Sequence, residues 1–308
     1  MKRMAIIQPE PSELVPDQQA AAQIIREVFP RAQRIAFVEH GQSNLIAQVD
    51  EQYVFRFPRR LDMLARFAFE VALLEQLAGS GLTPVPKVCK KSAQPAFVVV
   101  DFLPGEHLKA AQIRDLLPTA QADVGTQLAR FVYDFQQATG VDAIRALRRK
   151  TGVDEAEQNW GSYLADVFGD FLYDPRLGKI ITQYYAAWQK MVAGERMDIV
   201  VHGDLHEQNI LFKGGRLSGV LDFEFADVGS IEQECRTLYR FGEPLLHAFI
   251  ERYEQLSGAK VRVPDIRTWA IVGELATFCT RTRRGQTGHP SYLRARGNLR
   301  AWLPDFPL

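Results

Sequence analysis

The side chains best suited to chemistry lie in two short runs, Val201-His202-Gly203-Asp204-Leu205-His206-Glu207-Gln208-Asn209 and Gly219-Val220-Leu221-Asp222-Phe223-Glu224. Phosphoryl transfer to a hydroxyl needs a carboxylate to orient the hydroxyl and take its proton. It also needs hard oxygen ligands that hold Mg²⁺ while the ion bridges the donor phosphates. Kinases meet both needs with a catalytic Asp five residues ahead of a metal-binding Asn, and a second metal-binding Asp further on. Asp204 and Asn209 have that spacing, and Asp222 ends the strand that follows the Gly214-Gly215 turn. A second chemistry is conceivable. His202, Asp204 and His206 would share one face of an extended strand and could begin a zinc site. The remaining histidines, His40, His107, His247 and His289, are scattered, however, and no Cys cluster completes the ligand set.

These residues need elements to position them. After a proline-dotted lead-in, Asp17 reads as the N-cap of a short helix that ends at Pro30. Strands are expected near 33–39, 44–49 and 52–57, with turns at Gly41-Gln42 and Asp50-Glu51, which makes an antiparallel meander. Leu64, Phe67, Val71, Leu74 and Leu77 have helical spacing, so a helix is expected from Leu61 to Ala78, closed by Gly79. A strand pair at about 86–90 and 96–102 follows, and Pro104-Gly105 breaks the pattern. Beyond that hinge the pattern is helical over roughly 108–138, 155–170, 176–193, 231–257, 265–282 and 291–300, interrupted by a β island from Ile199 to Asp222. A small β-rich lobe joined to a larger helical one leaves a cleft between them, where ligands commonly bind.

His202-Gly203-Asp204 through Asn209, with Leu221-Asp222-Phe223-Glu224, resembles the aminoglycoside phosphotransferase family, which also includes choline, homoserine, fructosamine and macrolide kinases. The resemblance implies an α+β, two-lobed protein-kinase-like fold, with a small antiparallel-sheet N-lobe over residues 1–104 and a larger, mainly helical C-lobe over 105–308. It implies Asp204 as the catalytic base, Asn209 and Asp222 as Mg²⁺ ligands, and His202 as a support of the catalytic loop. Gly41-Gln42-Ser43-Asn44 resembles the family's nucleotide loop, in which Ser43 and neighbouring amides contact the donor phosphates. Tyr53-Val54-Phe55-Arg56-Phe57-Pro58-Arg59 resembles the strand that usually supplies a Lys to the phosphates, and Glu70 matches the acid that pairs with it. Val99-Val100-Asp101-Phe102-Leu103-Pro104-Gly105 resembles the hinge that binds adenine through the Asp101 carbonyl and the Leu103 N–H. Arg56 at the Lys position is a departure, since a guanidinium is bulkier and planar. The implied reaction transfers the γ-phosphoryl group of ATP or GTP to an aminoglycoside-, macrolide- or sugar/amino-alcohol-like acceptor. A nucleotide-binding pseudokinase with a regulatory role is the alternative.

The 308 residues carry 37 basic and 37 acidic side chains. A neutral chain without a basic excess argues against nucleic acid as a partner. No apolar run approaches the length of a membrane helix. Lys2 and Arg3 lead only into Met4-Ala5-Ile6-Ile7 before Pro9 and Pro11, which does not read as a secretory leader. Three separated cysteines, Cys89, Cys235 and Cys279, read as reduced, inert thiols. The expectation is a cytoplasmic monomer or homodimer that binds a nucleotide and a small hydroxyl compound. The neutrality is a balance between regions: −6 over residues 105–260 and +5 over 261–308, where every basic residue is Arg. A polycationic acceptor would need carboxylates such as Asp154, Glu155, Glu157, Asp166, Asp170, Glu224, Asp227, Glu232 and Glu234. Arg281, Arg283, Arg284, Arg294, Arg296 and Arg300, if turned to the cleft, would favour a neutral or anionic one. Trp160, Tyr163, Phe168, Phe171, Tyr184, Tyr185 and Trp188 recur at helical spacing, so a packed core explains most of them.

Overall fold

The structure is a computed structural model and describes residues 15–38, 43–153, 160–194 and 197–307. Helix α1 (Gln18–Val28) begins at Asp17, whose carboxylate accepts the Ala20 N–H at 2.8 Å. Strands β1 (Ile35–Val38), β2 (Asn44–Val49), β3 (Tyr53–Pro58), β4 (Val88–Ala93) and β5 (Ala96–Asp101) form one antiparallel sheet in the order β1-β2-β3-β5-β4. Between β3 and β4 runs helix α2 (Leu64–Ser80), preceded by a 3-10 turn over Leu61–Met63. This helix ends at Gly81 (φ 75°), not at Gly79, because only residue 81 adopts the left-handed conformation that caps a helix.

Strand alternation decides what each face of the sheet meets. Phe55, Phe57, Phe97 and Val99 pack with Ala21 and Ile25 of α1. Val98 and Val100 point the other way and join the core that contains Phe67, Leu74 and Leu77 of α2. Arg56 pairs with Val98 across the β3–β5 ladder, so its side chain leaves on the α2 face. That register delivers it to Glu70, which lies one turn beyond Phe67 on the buried side of α2.

The second lobe is helical: α3 (Ala110–Arg114), α4 (Pro118–Thr139), α5 (Val141–Thr151), α6 (Trp160–Gly169), α7 (Gly178–Val192), α8 (Ile231–Cys235), α9 (Glu243–Ser257), α10 (Val263–Arg283) and α11 (Pro290–Trp302). Two expected long helices are broken by proline chemistry. The 108–138 segment restarts at Pro118, and the 231–257 segment restarts after Gly242 (φ 105°) with Pro244 in the first turn of α9. The β island consists of β6 (Ile199–Val201), β7 (Ile210–Lys213), β8 (Arg216–Val220) and β9 (Asp227–Gly229). β7 pairs with β8 and β6 with β9, both antiparallel. Glu106 and Phe212 exchange backbone hydrogen bonds at 2.8 and 2.9 Å, which ties the segment after the hinge to the β7–β8 hairpin.

The aromatic residues of α6 and α7 do build core. Phe168 and Trp188 are buried with Trp269 of α10, while Tyr163 is exposed. Cys235 and Cys279 are buried as expected, but Cys89 is exposed because its strand β4 is the sheet edge. No helix among the described residues is long and apolar enough to cross a membrane.

Candidate functional site

The loop after β6 carries Asp204. It leaves the strand at Gly203, whose φ of 80° and close approach to the Phe225 carbonyl both require glycine: a Cβ there would lie 2.3 Å from that oxygen. Gly203→Ala is therefore expected to cost at least about 2 kcal/mol, measured as a lower urea midpoint with unchanged m. The same turn removes the zinc geometry. His202, Asp204 and His206 do not lie on an extended strand, and among the described residues the one carboxylate, His or Cys group compact enough for a metal is Glu70, Asp222 and Glu224.

His202 is buried, with both ring nitrogens in use. Nε2–H donates to the Leu221 carbonyl at 3.0 Å, and Nδ1 accepts the Asp204 N–H at 3.3 Å. Burial lowers its pKa to about 4. A neutral ring committed to two backbone groups links the loop to Leu221, between the end of β8 and Asp222. This is a positioning arrangement, and it leaves no nitrogen to move a proton.

Asp204 is partly buried. Burial alone would raise its carboxyl, but His206 (3.3 Å), Arg236 and His202 outweigh that and hold it well below the usual carboxylate range. Asn209 donates its side-chain N–H to the Asp204 carbonyl at 2.9 Å and to its carboxylate at 3.3 Å, so the amide oxygen of Asn209 turns the opposite way. The Leu221 N–H donates to the Asn209 carbonyl at 2.8 Å, which sets Asp222 next to the loop. Asp222 itself has φ 66°, an uncommon conformation for a non-glycine residue, and it turns the chain sharply out of the hairpin.

Across the cleft, Arg56 donates to Glu70 and, at 3.0 Å through Nη2, to Asp222. Burial would lower the Arg56 pKa, but Glu70, Asp222 and Glu224 together raise it. Glu70 also accepts the Phe223 N–H at 3.1 Å. Its own pKa is raised, chiefly by burial. Ser43 donates to Glu224 at 2.7 Å, and burial with the neighbouring Asp222 and Glu70 carboxylates pushes Glu224 up to about 8. Gly41 and Gln42 lie outside the described residues. At the hinge, Asp101 is held by Lys87, whose N–H reaches its carboxylate at 2.6 Å. The Leu103 N–H has no protein acceptor among the described residues.

Ser43, Arg56, Glu70, Asp222 and Glu224 thus converge from both lobes, and His202, Asp204 and Asn209 converge beside them. Two residues beneath the loop escaped the sequence reading of their place. Glu234, considered there only as a pocket acid, is buried and accepts the Gly203 N–H at 3.1 Å. Arg236 donates to the Gly203 carbonyl and, at 3.0 Å, to the Gln233 carbonyl. The sequence held little cue, because Glu232, Gln233, Glu234 and Arg236 after the Ser230 cap read as an ordinary polar helix start.

Burial raises Glu234 to about 7, which gives a signed expectation. A carboxyl whose folded pKa exceeds its unfolded value favours folding at low pH and loses that contribution as pH rises through the folded pKa. The wild type should therefore lose stability relative to Glu234→Gln between about pH 4.5 and 7. Urea unfolding of both proteins across that range measures it; parallel curves would remove Glu234 as the cause.

Residues 34–275 match the family model described as "Phosphotransferase enzyme family". No curated protein matches the sequence significantly. Among solved structures, the fold is similar to a GDP complex of an aminoglycoside 2′-phosphotransferase-IIIa mutant, with TM-score 0.74 at 19% identity, covering 94% of this chain and 97% of that one. A GDP and kanamycin complex of an APH(2″) enzyme gives TM-score 0.75 at 18% identity, covering 92% and 98%. Macrolide 2′-phosphotransferase MphH from Brachybacterium faecium gives TM-score 0.62 at 19% identity, covering 94% and 98%. At these identities the likeness is one of fold, and the family follows from the matched model over most of the sequence: this chain belongs to the phosphotransferase enzyme family.

Proposed function

We propose that the protein is a small-molecule kinase that transfers the γ-phosphoryl group of ATP or GTP to a hydroxyl in the cleft between lobes that divide at residues 104 and 105. The carrying observation is the convergence of Asp204, Asn209 and Asp222 opposite an Arg56–Glu70 pair. Asp204 stays ionised, orients the acceptor hydroxyl and accepts its proton as the new O–P bond forms and the nucleoside diphosphate leaves. Arg56, kept cationic by three carboxylates, contacts the donor phosphates with Ser43 beside them. The hinge offers the Asp101 carbonyl and the Leu103 N–H to the base.

The oxygens of Asp222 and Asn209 suit a hard cation such as Mg²⁺, and a carboxylate turned out by a left-handed backbone fits that use. When bound, the ion would supply positive charge that neutralises the donor phosphates. Structural relatives solved with GDP or ATP support a nucleotide donor. The intact Asp204, Asn209 and Asp222 disfavour the pseudokinase reading. Mg²⁺-dependent nucleotide turnover by wild type and Asp204→Ala tests the proposal. Tight nucleotide binding with no turnover in either protein would overturn it.

A further inference from the structure

The sequence left the base of the phosphoryl donor open between adenine and guanine, and the backbone groups of the hinge bear on it. Along a strand, successive residues turn their N–H and C=O groups to opposite edges, and facing residues of an antiparallel ladder exchange two bonds or none. The Phe102 N–H donates to the Gln52 carbonyl at 2.9 Å, so residue 102 faces the β3 side. The Asp101 N–H donates to the Lys87 carbonyl at 3.1 Å, so residue 101 faces the β4 side. The same alternation puts the Leu103 N–H on the edge of Asp101.

Residues 87 and 101 should exchange two backbone bonds, and they exchange one. The Lys87 N–H goes instead to the Asp101 carboxylate, at 2.6 Å. The Asp101 carbonyl is left without a protein donor among the described residues. The chain that leads into β4 does not close this edge. Pro84 and Pro86 have no N–H, and the Pro84 carbonyl turns away to accept the Val220 N–H at 2.9 Å. The open edge therefore carries one acceptor, the Asp101 carbonyl, and one donor, the Leu103 N–H. An apolar surface lies beside it, where Leu103 and Leu211 meet over Gly219: a Cβ there would lie 3.1 and 2.9 Å from their Cδ1 atoms. Adenine presents the complement of this edge, since its 6-amino group donates and its N1 accepts. Guanine presents O6 and N1–H at the same two places, so each would face a group of its own kind. Polar groups left unpaired in this way are what lets a site reject the wrong ligand.

We infer that the donor is ATP and not GTP, and that the Asp101 side chain sets this choice by keeping the Lys87 N–H off the Asp101 carbonyl. Asp101 is then a specificity-determining residue through its carboxylate, beyond the backbone contact it makes with the base. This inference rests on the kinase reading of the same cleft and narrows its donor. Structural relatives have been solved with GDP and with ATP, so likeness of fold does not make the choice.

Isothermal titration of the full-length protein with the Mg²⁺ complexes of ATP, GTP and inosine triphosphate tests it. Mg·ATP is expected to bind about tenfold or more tighter than either of the others. Inosine has the O6 and N1–H of guanine without its 2-amino group, so an equal loss for both places the cause at the hinge-facing edge. In Asp101→Ala the Lys87 N–H is free to bond the residue 101 carbonyl. Mg·ATP affinity should then fall about tenfold, and the preference over the inosine nucleotide should shrink with it. Asp101→Asn keeps an oxygen for Lys87 and should restore most of both. Guanosine or inosine nucleotide binding as tightly as ATP would overturn the choice of base. An Asp101→Ala variant that keeps the wild-type preference would overturn the role of the side chain, whether or not its overall affinity falls, because damage to the fold lowers all three nucleotides alike. A wild type that binds no nucleotide counts against the kinase reading, whereas equal binding of ATP and GTP counts only against the choice of base.

Discussion

Asp204→Asn is expected to lower Mg²⁺-dependent phosphoryl transfer by about 10³-fold, or roughly 4 kcal/mol of transition-state stabilisation, while nucleotide affinity stays within about twofold. The substitution keeps the shape of the side chain and lets Asn209 still donate to the residue 204 carbonyl, so the loop should hold its form. What is lost is the ionised oxygen that takes the hydroxyl proton. His206 cannot replace it simply by being close, because its Nδ1 accepts the Gln208 N–H at 3.0 Å and its Nε2 faces Asp204 at 3.3 Å. The check is steady-state kinetics of nucleoside diphosphate release together with a direct nucleotide titration. A variant that retains more than about a tenth of the wild-type rate would remove Asp204 from the role of base.

The second large effect concerns stability. Glu70→Ala should cost about 3–5 kcal/mol, because it strips one carboxylate from a guanidinium that is only 9% exposed. The Phe223 N–H would lose its acceptor in the same step. Asp222 would become the main partner of Arg56, and this leads to a functional consequence. Arg56 already contacts Asp222 at 3.0 Å, so the cation engages a carboxylate suited to the metal. Without Glu70 that engagement should tighten, and Mg·nucleotide affinity should fall along with stability. The double variant Arg56→Met/Glu70→Leu separates the two effects. Replacing a buried ion pair by apolar groups of similar volume tends to recover stability, but it supplies nothing to bind phosphates. Urea unfolding and nucleotide titration of the single and double variants measure both quantities. Recovery of nucleotide affinity in the double variant would show that the pair is only structural.

Much of the site was legible in the sequence because it is encoded by short spacings. Asp204 and Asn209 sit on one loop, and Asp222 follows on the hairpin that the Gly214-Gly215 turn makes. The Arg56–Glu70 pair was also within reach. Residue 56 alternates with buried Phe55 and Phe57, and residue 70 lies on the same helix face as Phe67, Val71 and Leu74. Helix ends were read less well. Gly79 looked like a cap, yet the helix continues through it to Gly81, since a helix tolerates an internal glycine at a modest cost that packing of Leu73, Leu74 and Leu77 outweighs. The His202, Asp204 and His206 spacing suggested a strand face, and the positive φ of Gly203 turned it into a loop.

By itself the sequence determined the two-lobed organisation and the spacing of Asp204, Asn209 and Asp222, while the pairing of Arg56 with Glu70 came from the resemblance to the family. The Asp204–Asn209 spacing and the helix and strand periodicities are local, and backbone geometry enforces them wherever the segment lies. Only the tertiary structure decided that Ser43 reaches Glu224, that Arg294 of the tail approaches Glu274 and that Arg283 turns to Asp166. Those contacts join residues far apart in the chain, and charge alone does not choose among so many possible partners. The packing of α10 against α11 does, and it sets Glu274 beside Arg240 and Arg294.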